Sequence, residues 1–127
     1  EQASMAATHL LSQLGLGTML QRRIGELSGG QAQRVAIARS QVTGAPITFA
    51  DEPTGALDTA TAQEVMNLLL ALIPQQGKTL VIVTHDPQVA QRCSRIIHLR
   101  DGQIVEEARP ADQPAAHATA PGSTETA

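Results

Sequence analysis

Ile47-Thr48-Phe49-Ala50-Asp51-Glu52 is a short apolar run that closes on two adjacent acids. Bounded by Gly44-Ala45-Pro46 before it and Pro53-Thr54-Gly55 after it, the run reads as a buried strand carrying carboxylates at its C-terminal end. Further on, Ala62, Val65, Met66, Leu69, Leu70 and Ile73 fall at i, i+3, i+4, i+7, i+8 and i+11, which predicts a helix with one apolar stripe that Pro74 ends. Thr79 to Val83 is apolar and β-branched without alternation, the pattern of a parallel strand covered on both faces. Buried strands alternating with helices predict an α/β protein with a parallel sheet. Ligands of such sheets bind at the C-terminal ends of strands, where Asp51-Glu52 and His85 stand.

Upstream, Ala3, Ala7, Leu10, Leu11 and Leu14 recur at helical spacing until Gly15 and Gly17 break the pattern. The polar stretch Gln21-Arg22-Arg23 leads into Leu27-Ser28-Gly29-Gly30-Gln31, after which a helix is expected from Gln31 to about Val42. Ser28 and Gln31 have capping-box spacing, and Thr43-Gly44-Ala45-Pro46 stops the helix. Downstream, Asp86-Pro87 fits an N-cap followed by proline at the first helical position, with the helix reaching about Arg92. Arg95 to Leu99 and Gln103 to Val105 flank Asp101-Gly102, a hairpin signal. From Ala108 to Ala127 the chain contains no Leu, Ile, Val, Met or Phe and is expected to be a disordered tail.

Composition narrows the function classes. The 127 residues are enough for one small domain, and no apolar run approaches the length of a membrane span. Nine Lys and Arg against twelve Asp and Glu argue against nucleic-acid binding by charge. The single cysteine, Cys93, excludes an internal disulfide and fits a reducing compartment. Phe49 is the sole aromatic, so the core is aliphatic and any base-stacking platform must come from elsewhere. The chain opens on Glu1-Gln2 with no signal segment, which reads as a cytoplasmic piece of something longer.

A strand ending in Asp-Glu suits a nucleotide hydrolase, one carboxylate directed to Mg²⁺ and the next to the attacking water. Two acids closing a strand at the solvent edge is the plainer alternative. Ser28-Gly29-Gly30 at a helix N-terminus lets backbone approach an anion closely, although a flexible helix entry has the same composition.

The motifs also occur together. Leu27-Ser28-Gly29-Gly30-Gln31 followed by Gln33-Arg34-Val35-Ala36-Ile37-Ala38-Arg39 resembles the signature motif and following helix of ABC ATPases. Ile47 to Glu52 resembles their Walker B strand with its catalytic glutamate, Gly55-Ala56-Leu57-Asp58 their D-loop, and Thr84-His85-Asp86 their H-loop. The likeness covers about residues 5 to 107 and is strongest to transporter ATPases of the lipoprotein-release and macrolide-efflux type. It implies the second half of a P-loop NTPase core over residues 29–107, preceded over residues 1–28 by the end of a helical subdomain. It also implies a head-to-tail pair of ATP-binding subunits, alike or different, attached to a membrane permease at the inner face of the cell membrane. In that pair Ser28, Gly29, Gly30 and Gln31 would contact the γ-phosphate of ATP held mainly by the partner. Asp51 would hold Mg²⁺, Glu52 would orient or deprotonate the hydrolytic water, His85 would contact the γ-phosphate, and Asp58 would link the two sites. His9, His98 and His117 match no motif and are expected in ordinary surface or core positions.

One family element does not occur in these residues, a G-x-x-x-x-G-K-[ST] phosphate loop. Gly77-Lys78-Thr79 fails as one, because Leu72 stands where the first glycine belongs and the segment enters a strand, not a helix. Without the strand that carries the loop, an apolar sheet face and strand edges are expected to lie open, with poor stability and no ATP turnover for the 127 residues alone. Two further readings compete with a transporter ATPase: a non-catalytic module that pairs with an intact ATPase, and a chromosome-maintenance or DNA-repair ATPase. No heptad run favours the latter, and Pro53-Thr54-Gly55 after Glu52 resembles a transporter.

Overall fold

A computed structural model describes residues 2–109. These fall into two compact units, one ending at His85 and the other beginning at Asp86.

The first unit starts with α1 (Gln2–Gln13), which ends where Gly15 takes φ +73°. Short 3-10 turns at Gly17–Met19 and Ile24–Glu26 lead to α2 (Gly29–Val42). The expected capping box is present: Ser28 Oγ accepts from Gln31 N at 3.3 Å, and Gln31 Oε1 accepts from Ser28 N at 3.0 Å. Next come β1 (Ile47–Asp51), α3 (Thr59–Gln75) and β2 (Thr79–Val83). The strands pair in parallel, with Ile47 opposite Thr79 and Asp51 opposite Val83, as the sequence pattern predicts. Val65, Met66, Leu69 and Ile73 of α3 are buried with Ile37 and Ala38 of α2 and with Leu14 and Leu16. α3 packs against both α2 and β2.

Two polar ties cross this core. Gln41 Nε2 donates to buried Thr48 Oγ1 at 3.0 Å, and Lys78 Nζ donates to Gln41 Oε1 at 3.0 Å, joining α2 to both strands. Arg34 of α2 donates to Leu14 O at 3.3 Å and pairs with Glu64 of α3 at 2.6 Å.

Four sequence expectations need correction. β2 is covered on one face only. Thr48, Ala50, Leu80 and Ile82 are buried or half-buried, whereas Phe49 is 73% exposed and Val83 55%, with Ile47 and Val81 also exposed on that face. An unbroken apolar run reports that a strand is built for burial, and only the packed elements decide which face receives it. The open apolar face matches the consequence expected for a sheet lacking the phosphate-loop strand. Pro74 does not end α3; it occupies the last turn, and the chain leaves the helix at Gln76 and at Gly77, where φ is +70°. Proline's fixed φ is itself helical, and its cost is the one bond its missing N–H cannot make to the carbonyl four residues back.

In the second unit Asp86 caps α4 (Pro87–Ala90), its Oδ1 accepting from Gln88 N at 2.8 Å. α4 is shorter than expected, and single turns carry the chain to Arg92 and Cys93. β3 (Ile96–Arg100) and β4 (Gln103–Ala108) form an antiparallel hairpin about Asp101 and Gly102, whose φ values of +50° and +75° are those of a type I′ turn. The fourth correction is that β4 includes Ala108, paired with Ile96, because a strand pairs through its backbone whatever its side chains. Arg95 and Glu107 add an ion pair at 2.7 Å. The rest of the expected tail, residues 110–127, lies outside the described residues, as does His117. His9 and His98 are exposed, as expected.

Candidate functional site

Parallel pairing brings the C-terminal ends of β1 and β2 side by side, and Glu52 N donates to Val83 O at 2.8 Å just past the last strand pair. Glu52 takes φ +43°, a left-handed backbone that non-glycine residues seldom adopt. That turn directs its carboxylate back across the end of β2. Oε1 accepts from His85 N at 2.9 Å and meets His85 Nδ1 at 2.6 Å, while Oε2 accepts from Thr84 Oγ1 at 3.2 Å. With Nδ1 protonated, the ring donates to the carboxylate.

These donors favour the ionised acid. The Glu52 carboxyl is held below the ordinary glutamate value chiefly by the His85 side-chain hydrogen bond, against a smaller opposing effect of burial. The imidazole is 90% exposed and the Glu52 side chain 37%, so the pair borders open solvent from which a ligand can approach. Asp51 ends β1 on the exposed face, beside Glu52. Among the described residues no three metal-ligating side chains cluster. A single carboxylate beside a nucleotide is nonetheless a sufficient protein contribution for Mg²⁺, which takes its remaining ligands from phosphate oxygens and water. Asp51 fits that role by donor chemistry.

A second group forms where the N-termini of α2 and α3 approach. Asp58 caps α3, Oδ1 accepting from Thr61 N at 3.1 Å and Oδ2 from Thr61 Oγ1 at 2.6 Å. These bonds, the hydroxyl's foremost, hold the Asp58 carboxyl below its usual value. Gly30 is buried, and a Cβ there would overlap the Thr61 methyl; a Cβ on Gly29 would lie 3.3 Å from Leu57 Cδ2. The two glycines therefore serve packing between the starts of α2 and α3.

The residues named from sequence thus form two groups, Asp51, Glu52 and His85 at the strand ends, and Ser28 to Gln31 with Asp58 at the helix starts. Sequence reasoning assigned no role to Thr84 or Thr61, the two hydroxyls that bind the acids. Thr84 had a signal in its place beside His85, whereas Thr61 had only the cap spacing from Asp58.

With this geometry in place, comparison with known proteins is direct. Residues 2–55 match the family model described as ABC transporter. The chain is 50% identical over 118 residues to the macrolide export ATP-binding/permease protein MacB 2 of Yersinia pestis bv. Antiqua (strain Antiqua), covering 93% of this chain and 16% of that protein. It is 54% identical over 99 residues to the lipoprotein-releasing system ATP-binding protein LolD of Anaeromyxobacter dehalogenans, covering 78% of this chain and 41% of that one. Among solved structures, the ADP conformation of the ABC transporter cassette MJ1267 superposes with a TM-score of 0.80 at 30% identity, over 86% of this chain and 43% of that one. The dimeric structure of MJ0796, a bacterial ABC transporter cassette, gives 0.70 at 44% identity, over 84% and 46%. The chain therefore spans under half the length of each of these relatives.

Proposed function

The chain belongs to the ABC transporter ATPase family, and from that premise we propose that it supplies the hydrolytic and signature elements of an ATP-hydrolysing transporter subunit. The observation that carries this reading is the Glu52 carboxylate, aimed across the strand ends and held by Thr84 and His85.

Bound Mg²⁺ would neutralise charge on the terminal phosphates, and Asp51 is the residue that would hold it. Glu52 stays ionised and so accepts a hydrogen bond from the attacking water. From that position it would orient or deprotonate the water. His85 would contact the γ-phosphate, with its Nδ1 facing the Glu52 carboxylate. Ser28, Gly29, Gly30 and Gln31 would contact the γ-phosphate of ATP held mainly by a second subunit, whether identical or different, and Asp58 would join the two sites; Gly29 and Gly30 carry the amides outside the capping box. The subunit would couple hydrolysis to transport through a permease, at the inner face of the membrane. Among the described residues no helix is long and apolar enough to cross a membrane itself. MacB-type relatives are named as ATP-binding/permease proteins, which supports a permease on the same chain or beside it.

The test is ATP turnover by a complete cassette carrying this sequence. Glu52→Gln should retain ATP binding while hydrolysis falls about 10²–10⁴-fold. An unaffected rate would remove Glu52 from the role. The 127 residues alone contain no G-x-x-x-x-G-K-[ST] loop and are expected not to turn over ATP.

A further inference from the structure

Thr61 touches both halves of the second group. Its hydroxyl donates to Asp58 Oδ2 at 2.6 Å, and its methyl occupies the space that a side chain at Gly30 would need. Both substituents sit on one β-branched Cβ, whose χ1 has few staggered positions. Turning the methyl away from Gly30 therefore swings the hydroxyl off Asp58, and shifting Asp58 drives the methyl against the α2 turn. Helix capping explains only part of this arrangement. The bond from Thr61 N to Asp58 Oδ1 at 3.1 Å would form with nearly any residue at that position. Contact between the methyl and Gly30 contributes nothing to a cap.

We propose that Thr61 is a positioning residue that makes the Ser28–Gln31 turn and Asp58 move as one body. The inference rests on the function proposed above, because it assigns to those two elements their part in a shared nucleotide site. A change at Asp58, on the path between the two sites, then alters how the signature turn is presented without any contact between Thr61 and nucleotide.

Rescue in a complete cassette tests this. Gly30→Ala should lower kcat about tenfold or more, because the added Cβ overlaps the Thr61 methyl and displaces the turn. The double variant Gly30→Ala with Thr61→Ser should recover most of that loss, since serine keeps the hydroxyl on Asp58 and removes the obstructing methyl. Thr61→Val, which keeps the β-branch and loses the hydroxyl, should lower kcat several-fold with KM for ATP near the parent's. A double variant as impaired as Gly30→Ala would overturn the proposal, and so would a Thr61→Val cassette of parental kcat. If Gly30→Ala fails to fold, the Thr61→Val outcome decides alone. A parent cassette without ATPase activity, or one indifferent to Glu52→Gln, instead overturns the underlying function.

Discussion

Glu52 and Asp58 are two acids on one short loop, both held below their ordinary pKa, yet by different means. Asp58 finds its donors one helical turn away, in Thr61. Glu52 finds its donors in Thr84 and His85, on the far side of α3 in the sequence. A local cap forms whenever its helix forms. The Glu52 arrangement exists only while β1 and β2 keep their register, because a slip of one residue would move His85 off the carboxylate. The difference separates a joint built within one helical turn from a corner that the whole sheet must assemble.

The sharpest way to press this contrast is at Glu52 itself, where Glu52→Gln should cost about 10²–10⁴ in turnover of the complete cassette. Removing a tie beneath the corner comes next. Gln41→Leu leaves buried Thr48 and the Lys78 ammonium without their partner, and should cost about 1–3 kcal/mol in denaturant unfolding. Ser28→Ala removes a local cap from α2 and should cost about 1 kcal/mol. If the local variant proves the more damaging of these two, the contrast fails.

Acid adds a finer test. Both carboxyls have folded pKa values lowered below the unfolded ones, so their stabilisation is complete above the ordinary carboxylate range and fades as pH falls through the lowered values. Carboxylate titration followed by NMR should show His85→Ala returning Glu52 toward its ordinary value with Asp58 unmoved, and Thr61→Val doing the reverse. The smallest effect is expected at Phe49, where Phe49→Ser in the 127-residue chain should change stability by under about 0.5 kcal/mol and reduce self-association.

Legibility followed the same division. Ser28 with Gln31, Asp86 with Pro87, and Asp101 with Gly102 act over a few residues, and each forms the cap or turn read from its spacing. The α3 stripe likewise buries Val65, Met66, Leu69 and Ile73, because helical periodicity is a local property. Thr79 to Val83 showed itself as a strand but not which of its faces would be covered. Pro74 and Ala108 were misjudged at element ends, where tolerance within the last helical turn and backbone pairing outweigh side-chain type.

By itself, then, the order of residues determined the element types, the parallel α/β class and the family likeness, since these rest on periodicity, capping and motif spacing along the chain. Only the tertiary structure decided that Glu52 turns left-handed to meet Thr84 and His85, that Thr61 fills the space beside Gly30, and that Phe49 and Val83 face outward. Each of those outcomes depends on which elements pack together, and packing joins residues whose separation in sequence carries no record of their contact.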